Sequence, residues 1–236
     1  KEKLKFFLYR WADVIVPNSY SQERFVKSHF PRLSNKITAI TNFTDTDYFV
    51  PAEHQSTNEV TNLLVVARVV PSKNVLGLIK AVKNVVDKGY ILSVKWFGKP
   101  FTQEYYEECI SLIKELELED FFQIEEETLD IKKEYQRADV FCLPSFYEGY
   151  PNVVCEAMSC GLPILCSNVC DNGTIVKNGY NGFLFDPNSI LSISQSIIDF
   201  LDLDSYRIEE IRQVNRTFAK LNFSKNKFID SYKQII

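Results

Sequence analysis

PSFYEGYPNVVCEAMSCGLPIL, residues 144–165, is the stretch from which the fold of this chain can be predicted. An apolar run, Val140 to Leu143, comes directly before it and predicts a short buried strand. Residues 145–151 are rich in turn formers and predict a loop. A helix is expected next, with Asn152 as its N-cap, because this side chain can accept a hydrogen bond from a free amide one turn on. The stretch therefore predicts a strand–loop–helix unit.

Such a unit presents free amides and the positive end of a helix dipole at the carboxyl end of the strand, where a phosphate group binds readily. Glu148 lies in the predicted loop and Glu156 in the first turns of the helix. A helix that begins between these two residues can aim both carboxylates into one crevice. Taken singly, each glutamate is equally well explained as a solvated surface residue.

The whole stretch resembles the signature of retaining glycosyltransferase family 4, S-x-x-E-G-[FY]-P-x-x-x-x-E-A-M-x-x-G-x-P. The matching residues are Ser145, Glu148, Gly149, Tyr150, Pro151, Glu156, Ala157, Met158, Gly161 and Pro163. The resemblance implies the C-terminal, donor-binding domain of a two-domain GT-B enzyme.

Length and composition restrict the other classes of protein to which the chain could belong. The chain has 236 residues, enough for one good domain, and 45% hydrophobic residues to build its core. A formal charge of −4 without a long basic run argues against a nucleic-acid partner. No apolar run approaches the ~18 residues of a membrane span. The chain begins with Lys1 and shows no signal-peptide pattern, so we expect a fragment.

Six cysteines stand mostly in apolar surroundings, without a C-x-x-C pair and far from the two histidines. This pattern predicts reduced thiols in the core instead of a zinc site, and a cytoplasmic location. The cysteines are Cys109, Cys142, Cys155, Cys160, Cys166 and Cys170.

The first residues predict a helix with an apolar face and a basic face. Leu4, Phe7, Leu8 and Trp11 share the apolar face. A helix that covers a neighbouring sheet and a peripheral helix at the inner face of a membrane both remain open.

Short strands are predicted at residues 14–16 and 37–40, with a helix from Ser19 or Ser21 to about His29 between them. This segment resembles the closing βαβ unit of the acceptor-side domain in the same family. The resemblance implies that residues 1–50 end the N-terminal domain and form a linker. Residues 51–236 are then the C-terminal nucleotide-sugar-binding domain, including a final helix that crosses back.

Asp45-Thr46-Asp47 spells the D-x-D triplet with which another glycosyltransferase class holds a divalent metal. Two carboxylates one residue apart chelate a cation only if the loop turns both inward. The triplet is followed by Tyr48, Phe49 and Pro51, which resembles the interdomain linker of the metal-independent family. We therefore interpret the triplet as a chance match to the metal-binding motif and expect no metal site.

The main domain is predicted to begin with a buried strand at LLVVARV, residues 63–69. Arg68 and Lys73 bracket the strand-to-helix turn that follows, which is where open α/β sheets bind ligands. The turn resembles the family's G-R-x-x-x-x-K-G, and this implies diphosphate-binding positions for Arg68 and Lys73. Ala67 and Asn74 stand where the family has glycines.

Further strands are predicted at residues 91–97, 121–124 and 164–166, and helices at 102–118, 130–137 and from near Ser189, Ser205 and Ser224. Gly98 closes the second strand, and its missing side chain would let a ligand approach the backbone. Cys170, Asp171 and Thr174 replace the paired glycine and the glutamate that the family carries after the fifth strand.

Alternating strands and helices predict a Rossmann-like, doubly wound parallel α/β sheet, joined to a remnant of the N-terminal domain. The resemblance implies a retaining, metal-independent transferase of surface polysaccharide synthesis. Its substrate would be a UDP- or GDP-linked sugar, with no further cofactor, and its acceptor a glycan or a lipid-linked glycan. The missing N-terminal domain would be its partner, so we expect no transfer by this chain alone.

Breaking the sugar–phosphate bond builds negative charge on the diphosphate, which cations and amides stabilise. The predicted catalytic residues are Arg68, Lys73 and Glu148. The resemblance implies that Glu156 accepts two ribose hydroxyls and that Glu148 holds a sugar hydroxyl. The full donor-binding set is Arg68, Lys73, Gly98, Glu148, Gly149, Tyr150, Pro151, Asn152 and Glu156.

Three other classes of protein are alternatives to a glycosyltransferase. A dinucleotide oxidoreductase requires G-x-G-x-x-G, and the eight glycines never stand two residues apart. A nucleotide-sugar epimerase of the same fold remains open, and would convert the donor without an acceptor. A non-catalytic interaction domain also remains open, and would bind no nucleotide.

Overall fold

Short apolar runs build one six-stranded sheet in the computed structural model, which describes residues 8–53 and 60–235. The strands are β1 Thr61–Val66, β2 Leu92–Phe97, β3 Phe122–Glu125, β4 Val140–Leu143, β5 Ile164–Ser167 and β6 Gly182–Phe185. The first five agree with the predicted strands to within three residues at each end. The sixth was not predicted.

Nine α-helices follow in the described residues: α1 Tyr20–His29, α2 Val75–Val86, α3 Gln103–Glu115, α4 Ile131–Arg137, α5 Asn152–Ser159, α6 Asn172–Ile175, α7 Ile190–Leu201, α8 Ser205–Asn222 and α9 Lys225–Lys233. Short 3-10 turns occupy Tyr9–Trp11, Pro31–Lys36 and Pro71–Lys73. The predicted caps Ser19, Ser189 and Ser224 are confirmed, because each side chain accepts the amide three residues on.

The strands run parallel in the order β3-β2-β1-β4-β5-β6. The chain builds outward from β1 to one edge and then returns to build outward from β4 to the other. The two strands where the direction reverses are therefore neighbours, and a crevice opens at their carboxyl ends. This order confirms the predicted doubly wound sheet.

Side chains alternate between two cores, one on each face of the sheet. Leu63 and Val65 of β1 join the core under α2, α3 and α7, whereas Leu64 joins the core under α5 and α8. In β4, Cys142 and Phe141 divide in the same way. Since helices cover both faces, these strands are apolar throughout, which is why the sequence identified them.

Residues before the linker form a third, small cluster around Ile15, Val26 and Ile37. The predicted strands at 14–16 and 37–40 are wrong as full strands. They reduce to a single parallel bridge between Ile15 and Ile37. The apolar helix face predicted from Leu4 onward falls largely on residues 1–7, which lie outside the described residues.

Three helix boundaries differ from the sequence prediction. Asn152 is the first residue of α5 instead of its cap, and the Pro151 position before it offers no side-chain cap. Asp204, not Ser205, caps α8 by accepting from the Arg207 amide. Helix α3 ends at Glu115, because Glu117 adopts the left-handed conformation with φ 56°. None of the helices in the described part of the chain has both the length and the apolar character needed to span a membrane.

Candidate functional site

The loops that follow β1 and β4 meet at the crevice, and they bring two of the predicted site residues into contact. Lys73 Nζ lies 2.5 Å from Glu148 Oε1. The two side chains are 21% and 11% exposed, so the pair is largely withdrawn from solvent while still reaching the surface. These residues are 75 positions apart in sequence, and the strand order alone makes them neighbours.

Local backbone geometry fixes the Lys73 loop. Asn74 adopts a left-handed conformation with φ 59°, which asparagine tolerates better than most residues. Its Nδ2 donates to the Pro187 carbonyl at 2.9 Å. The Phe146 amide donates to the Ser72 carbonyl at 2.9 Å, which ties this loop to the one after β4. Asn74 thus supplies the left-handed turn that joins Lys73 to α2.

The loop after β4 has unused donors. Within the part of the chain that the structure describes, the amides of residues 147–150 have no protein acceptor. The Ser145 side chain is fully buried, and its Oγ has no hydrogen-bond partner there either. Consecutive free amides beside a lysine form a suitable environment for an anion.

Arg68 and Gly98 lie on the β1–β2 side of this edge. The Arg68 side chain is exposed, and its guanidinium carbon lies 6.0 Å from the centroid of the Phe101 ring. A Cβ atom at Gly98 would stand 1.9 Å from the Ala67 carbonyl oxygen. The close approach of the two strands therefore already requires glycine at this position.

Glu156 does not join the Lys73–Glu148 pair. It lies on α5, and its Oε2 accepts a hydrogen bond from the hydroxyl of Tyr135 on α4 at 2.9 Å. Burial raises the pKa of Glu156 above its usual value, and the Tyr135 hydrogen bond opposes that rise. The two glutamates thus have different protein partners, Lys73 for Glu148 and Tyr135 for Glu156.

The remaining residues of the predicted set follow Glu148 along the chain. Gly149, Tyr150 and Pro151 complete the loop before α5. The Asn152 side chain is exposed, and its Oδ1 accepts from Asn42 Nδ2 of the linker at 3.2 Å.

Asp171 is a functional candidate that sequence reasoning did not place. Its side chain is fully buried and accepts the amides of Tyr20 at 2.6 Å and Ser21 at 2.7 Å. It therefore binds the N-terminus of α1 from the loop after β5. Arg24 Nη2 lies 3.4 Å away. No local sequence signal could have paired residues about 150 positions apart.

Neighbouring Cys170 adopts a left-handed φ of 50°. The other five cysteines are buried, and all six are free, as expected for core thiols. Burial raises the pKa of Cys109 to about 12.

The Asp45–Asp47 triplet lies in the linker. Asp45 Oδ1 accepts the amides of Asp47 at 3.2 Å and Tyr48 at 2.9 Å, so this oxygen stabilises the turn. In residues 8–53 and 60–235, no group of three or more histidine, cysteine or acidic side chains is arranged to hold a metal ion.

Comparison with known proteins gives a family match over most of the chain. The model of the family described as glycosyl transferases group 1 matches residues 49–216. O-antigen chain mannosyltransferase B of Escherichia coli is 44% identical over 78 residues, which are 33% of this chain and 20% of that protein. The chain spans about half or less of the length of the curated relatives that it matches.

Solved structures agree on the fold. A glycosyltransferase of Rickettsia africae superposes with a TM-score of 0.86 at 20% identity, covering 97% of this chain and 66% of that one. Anabaena HepE, solved with UDP and glucose, gives a TM-score of 0.82 at 19% identity, covering 96% and 63%.

Proposed function

Because the chain belongs to the glycosyl transferases group 1 family, we propose that it is the donor-binding half of a retaining, metal-independent glycosyltransferase. The donor is a nucleotide-sugar, and the acceptor is a glycan or a lipid-linked glycan of a surface polysaccharide. The O-antigen relative and the UDP-bound HepE structure support this assignment.

The contact between Lys73 and Glu148 is the observation that carries the proposal. It joins the two family motifs at the switch point of the sheet, where ligands of open α/β folds bind. Without a donor the two charges neutralise each other. A diphosphate would give Lys73 a second anion, and a sugar hydroxyl would give Glu148 a second donor.

Stabilisation of the leaving diphosphate needs no metal in this scheme. Lys73 and the exposed Arg68 supply two positive charges, and the free amides of residues 147–150 supply donors. Fixed donors aimed at developing charge are an effective form of transition-state stabilisation. Glu156 would accept the ribose hydroxyls, and Glu148 would orient the sugar for attack on the face from which the diphosphate leaves.

We also propose the division of the chain into an acceptor-side segment with linker, residues 1–50, and a donor domain, residues 51–236. The separate small cluster around Ile15 supports it. Asp171 would then be a contact between the two parts, because it caps α1 from the donor domain.

Calorimetric titration with UDP, GDP and their sugar conjugates, in buffer containing EDTA, tests these roles. Glu156→Ala removes the partner of the ribose and should weaken both the free diphosphate and the intact donor, by about 1–3 kcal/mol. Glu148→Ala should weaken only the intact donor, because its partner is on the sugar. It also frees Lys73, so diphosphate affinity should stay equal or rise.

Glu107→Ala is the matched control, since Glu107 is an exposed residue of α3 that accepts a hydrogen bond only from the neighbouring Gln103 side chain among the described residues. It should leave both ligands unaffected. Equal loss of the diphosphate in Glu148→Ala and Glu156→Ala would contradict the division of roles. Binding that disappears in EDTA would contradict the metal-independent scheme.

A further inference from the structure

The Tyr135 side chain is held in one place by the core. It lies on α4 and is fully buried. The Phe49 ring of the linker packs edge-on with centroids 5.8 Å apart, and the Phe141 ring of β4 lies at 5.7 Å. Aromatic rings prefer such inclined contacts. The position of the Tyr135 hydroxyl is therefore fixed by packing and not by a surface loop.

The Tyr135 hydroxyl has two acceptors within reach, Glu156 Oε2 at 2.9 Å and the Val153 carbonyl at 3.3 Å. A tyrosine hydroxyl carries one proton, so the two acceptors compete for it. The carboxylate is closer and charged, and charge-assisted hydrogen bonds are the stronger ones. Among the described residues, no second side chain donates a hydrogen bond to Glu156.

This contact restrains an otherwise mobile side chain. A glutamate has three side-chain torsions, and ordering them when a ligand binds lowers affinity. Because Tyr135 already holds Oε2, the orientation of the carboxylate is set before the ligand arrives. A carboxylate offers about four lone-pair sites, so two ribose hydroxyls can still be accepted.

We propose that Tyr135 is a positioning residue for Glu156: its hydroxyl holds the carboxylate ready to accept the two ribose hydroxyls of a nucleoside diphosphate. This inference rests on the proposed role of Glu156 at the donor ribose. Tyr135 itself does not touch the ligand, since its side chain is fully buried.

The test is the variant Tyr135→Phe, which keeps the ring between Phe49 and Phe141 and removes only the hydroxyl. Calorimetry compares UDP and GDP with their 2′,3′-dideoxy analogues. The variant should weaken the ribonucleotide that the wild type binds by roughly three- to tenfold. The dideoxy analogue should bind wild type and variant equally, because it has no hydroxyl for Glu156 to accept.

Tyr90→Phe is the matched control. The Tyr90 hydroxyl also donates to a carboxylate, Asp202 at 2.9 Å, but Tyr90 precedes β2 and lies at the amino ends of the strands, opposite the crevice. This variant should change neither ligand. A second check combines Tyr135→Phe with Glu156→Ala, where removal of the hydroxyl should add no further loss of ribonucleotide affinity.

The outcomes distinguish a failure of the positioning role of Tyr135 from a failure of the proposed role of Glu156 at the ribose. Equal losses for the ribonucleotide and the dideoxy analogue would mean that Tyr135→Phe only disturbs packing, and would overturn the proposal. An unchanged affinity for both would overturn it as well. If wild-type protein binds the two ligands equally, Glu156 does not bind the ribose, and the proposed function of that residue fails first.

Discussion

The surroundings of Glu156 disfavour the charged form of its carboxyl group. Burial raises its pKa, with the Tyr135 hydroxyl as the opposing influence. The titratable and charged groups around it are Tyr135 from α4, Cys155 from its own helix, Cys160 directly after that helix, and Arg216 and Lys132 near Cys160. A residue kept under such conditions is more easily explained by ligand binding than by stability.

The raised pKa predicts how stability depends on pH. The folded protein binds the Glu156 proton more tightly than the unfolded chain does. The resulting stabilisation is complete below the ordinary glutamate pKa and is lost as pH rises through the raised value. Glu156→Gln stays neutral and can still accept from Tyr135. Its melting temperature should therefore exceed that of wild type at pH 7.5, and the difference should vanish towards pH 4.

Differential scanning fluorimetry across this pH range measures the effect. Glu107→Gln, the same substitution at an exposed position of α3, is measured beside it as the control for a surface carboxylate. A Glu156→Gln difference that stays constant with pH would show that the carboxylate has an ordinary pKa, and that its burial costs the folded protein nothing.

At the scale of elements, Arg216 of α8 fastens the linker to the helix that carries Glu156. Its Nη1 lies 2.9 Å from the carbonyl oxygens of Thr46 and Phe49 and 2.7 Å from that of Ser159, the last residue of α5. Gln136 of α4 adds a bond to the Val50 carbonyl at 2.9 Å. The linker is thus held by α4, which also supplies the Tyr135 hydroxyl to Glu156, and by α8, whose Arg216 also binds the end of the helix that carries Glu156.

Arg216→Ala should lower the free energy of unfolding by about 1.5–3 kcal/mol, the range for hydrogen bonds to a charged group. Urea denaturation measures it. Arg137→Ala is the control, because the Arg137 side chain is 71% exposed in its ion pair with Glu134 and should contribute at most about 0.5 kcal/mol. Equal effects from the two variants would show that the linker contacts add no stability.

The elements also show what sequence reasoning can and cannot reach. Strands β1, β4 and β5 are buried on both faces, so their continuous apolar runs could be predicted. Strand β6 was missed because it begins at Gly182, which indicates a turn. A Cβ there would lie 2.2 Å from the Ile164 carbonyl oxygen, so the glycine is required by strand packing.

The residues of the candidate site likewise fall into those that the sequence could predict and those that it could not. Lys73 and Glu148 could be predicted because each stands in a local motif at a strand end. Tyr135 and Asp171 could not, because their partners are supplied by other helices, 21 residues away for Tyr135 and about 150 for Asp171. The left-handed conformations of Asn74 and Cys170 could not be predicted either, because only tertiary contacts make a non-glycine residue adopt them.

At the scale of the whole molecule, the crevice lies at the seam between the two halves of the sheet. Strand β1 pairs with β2 along six residues but with β4 along only two, Leu63 with Val140 and Leu64 with Phe141. The strands therefore separate early, and the loops beyond them line the crevice. A ligand held by both loops would connect the halves where the sheet itself connects them least.

This connection can be measured by hydrogen exchange. The amides of residues 147–150 have no acceptor among the described residues, so they should exchange fast in the free protein and become protected when phosphate oxygens accept from them. Residues 69–74 should gain protection in the same titration with UDP or GDP, at the same ligand concentration, because one molecule contacts both loops. The last turn of α3, residues 112–115, provides the unaffected reference, because it leads into β3 at the amino ends of the strands, away from the crevice. Protection confined to one loop would show that the nucleotide does not bridge the seam, and would place the diphosphate away from either Lys73 or the amides after β4.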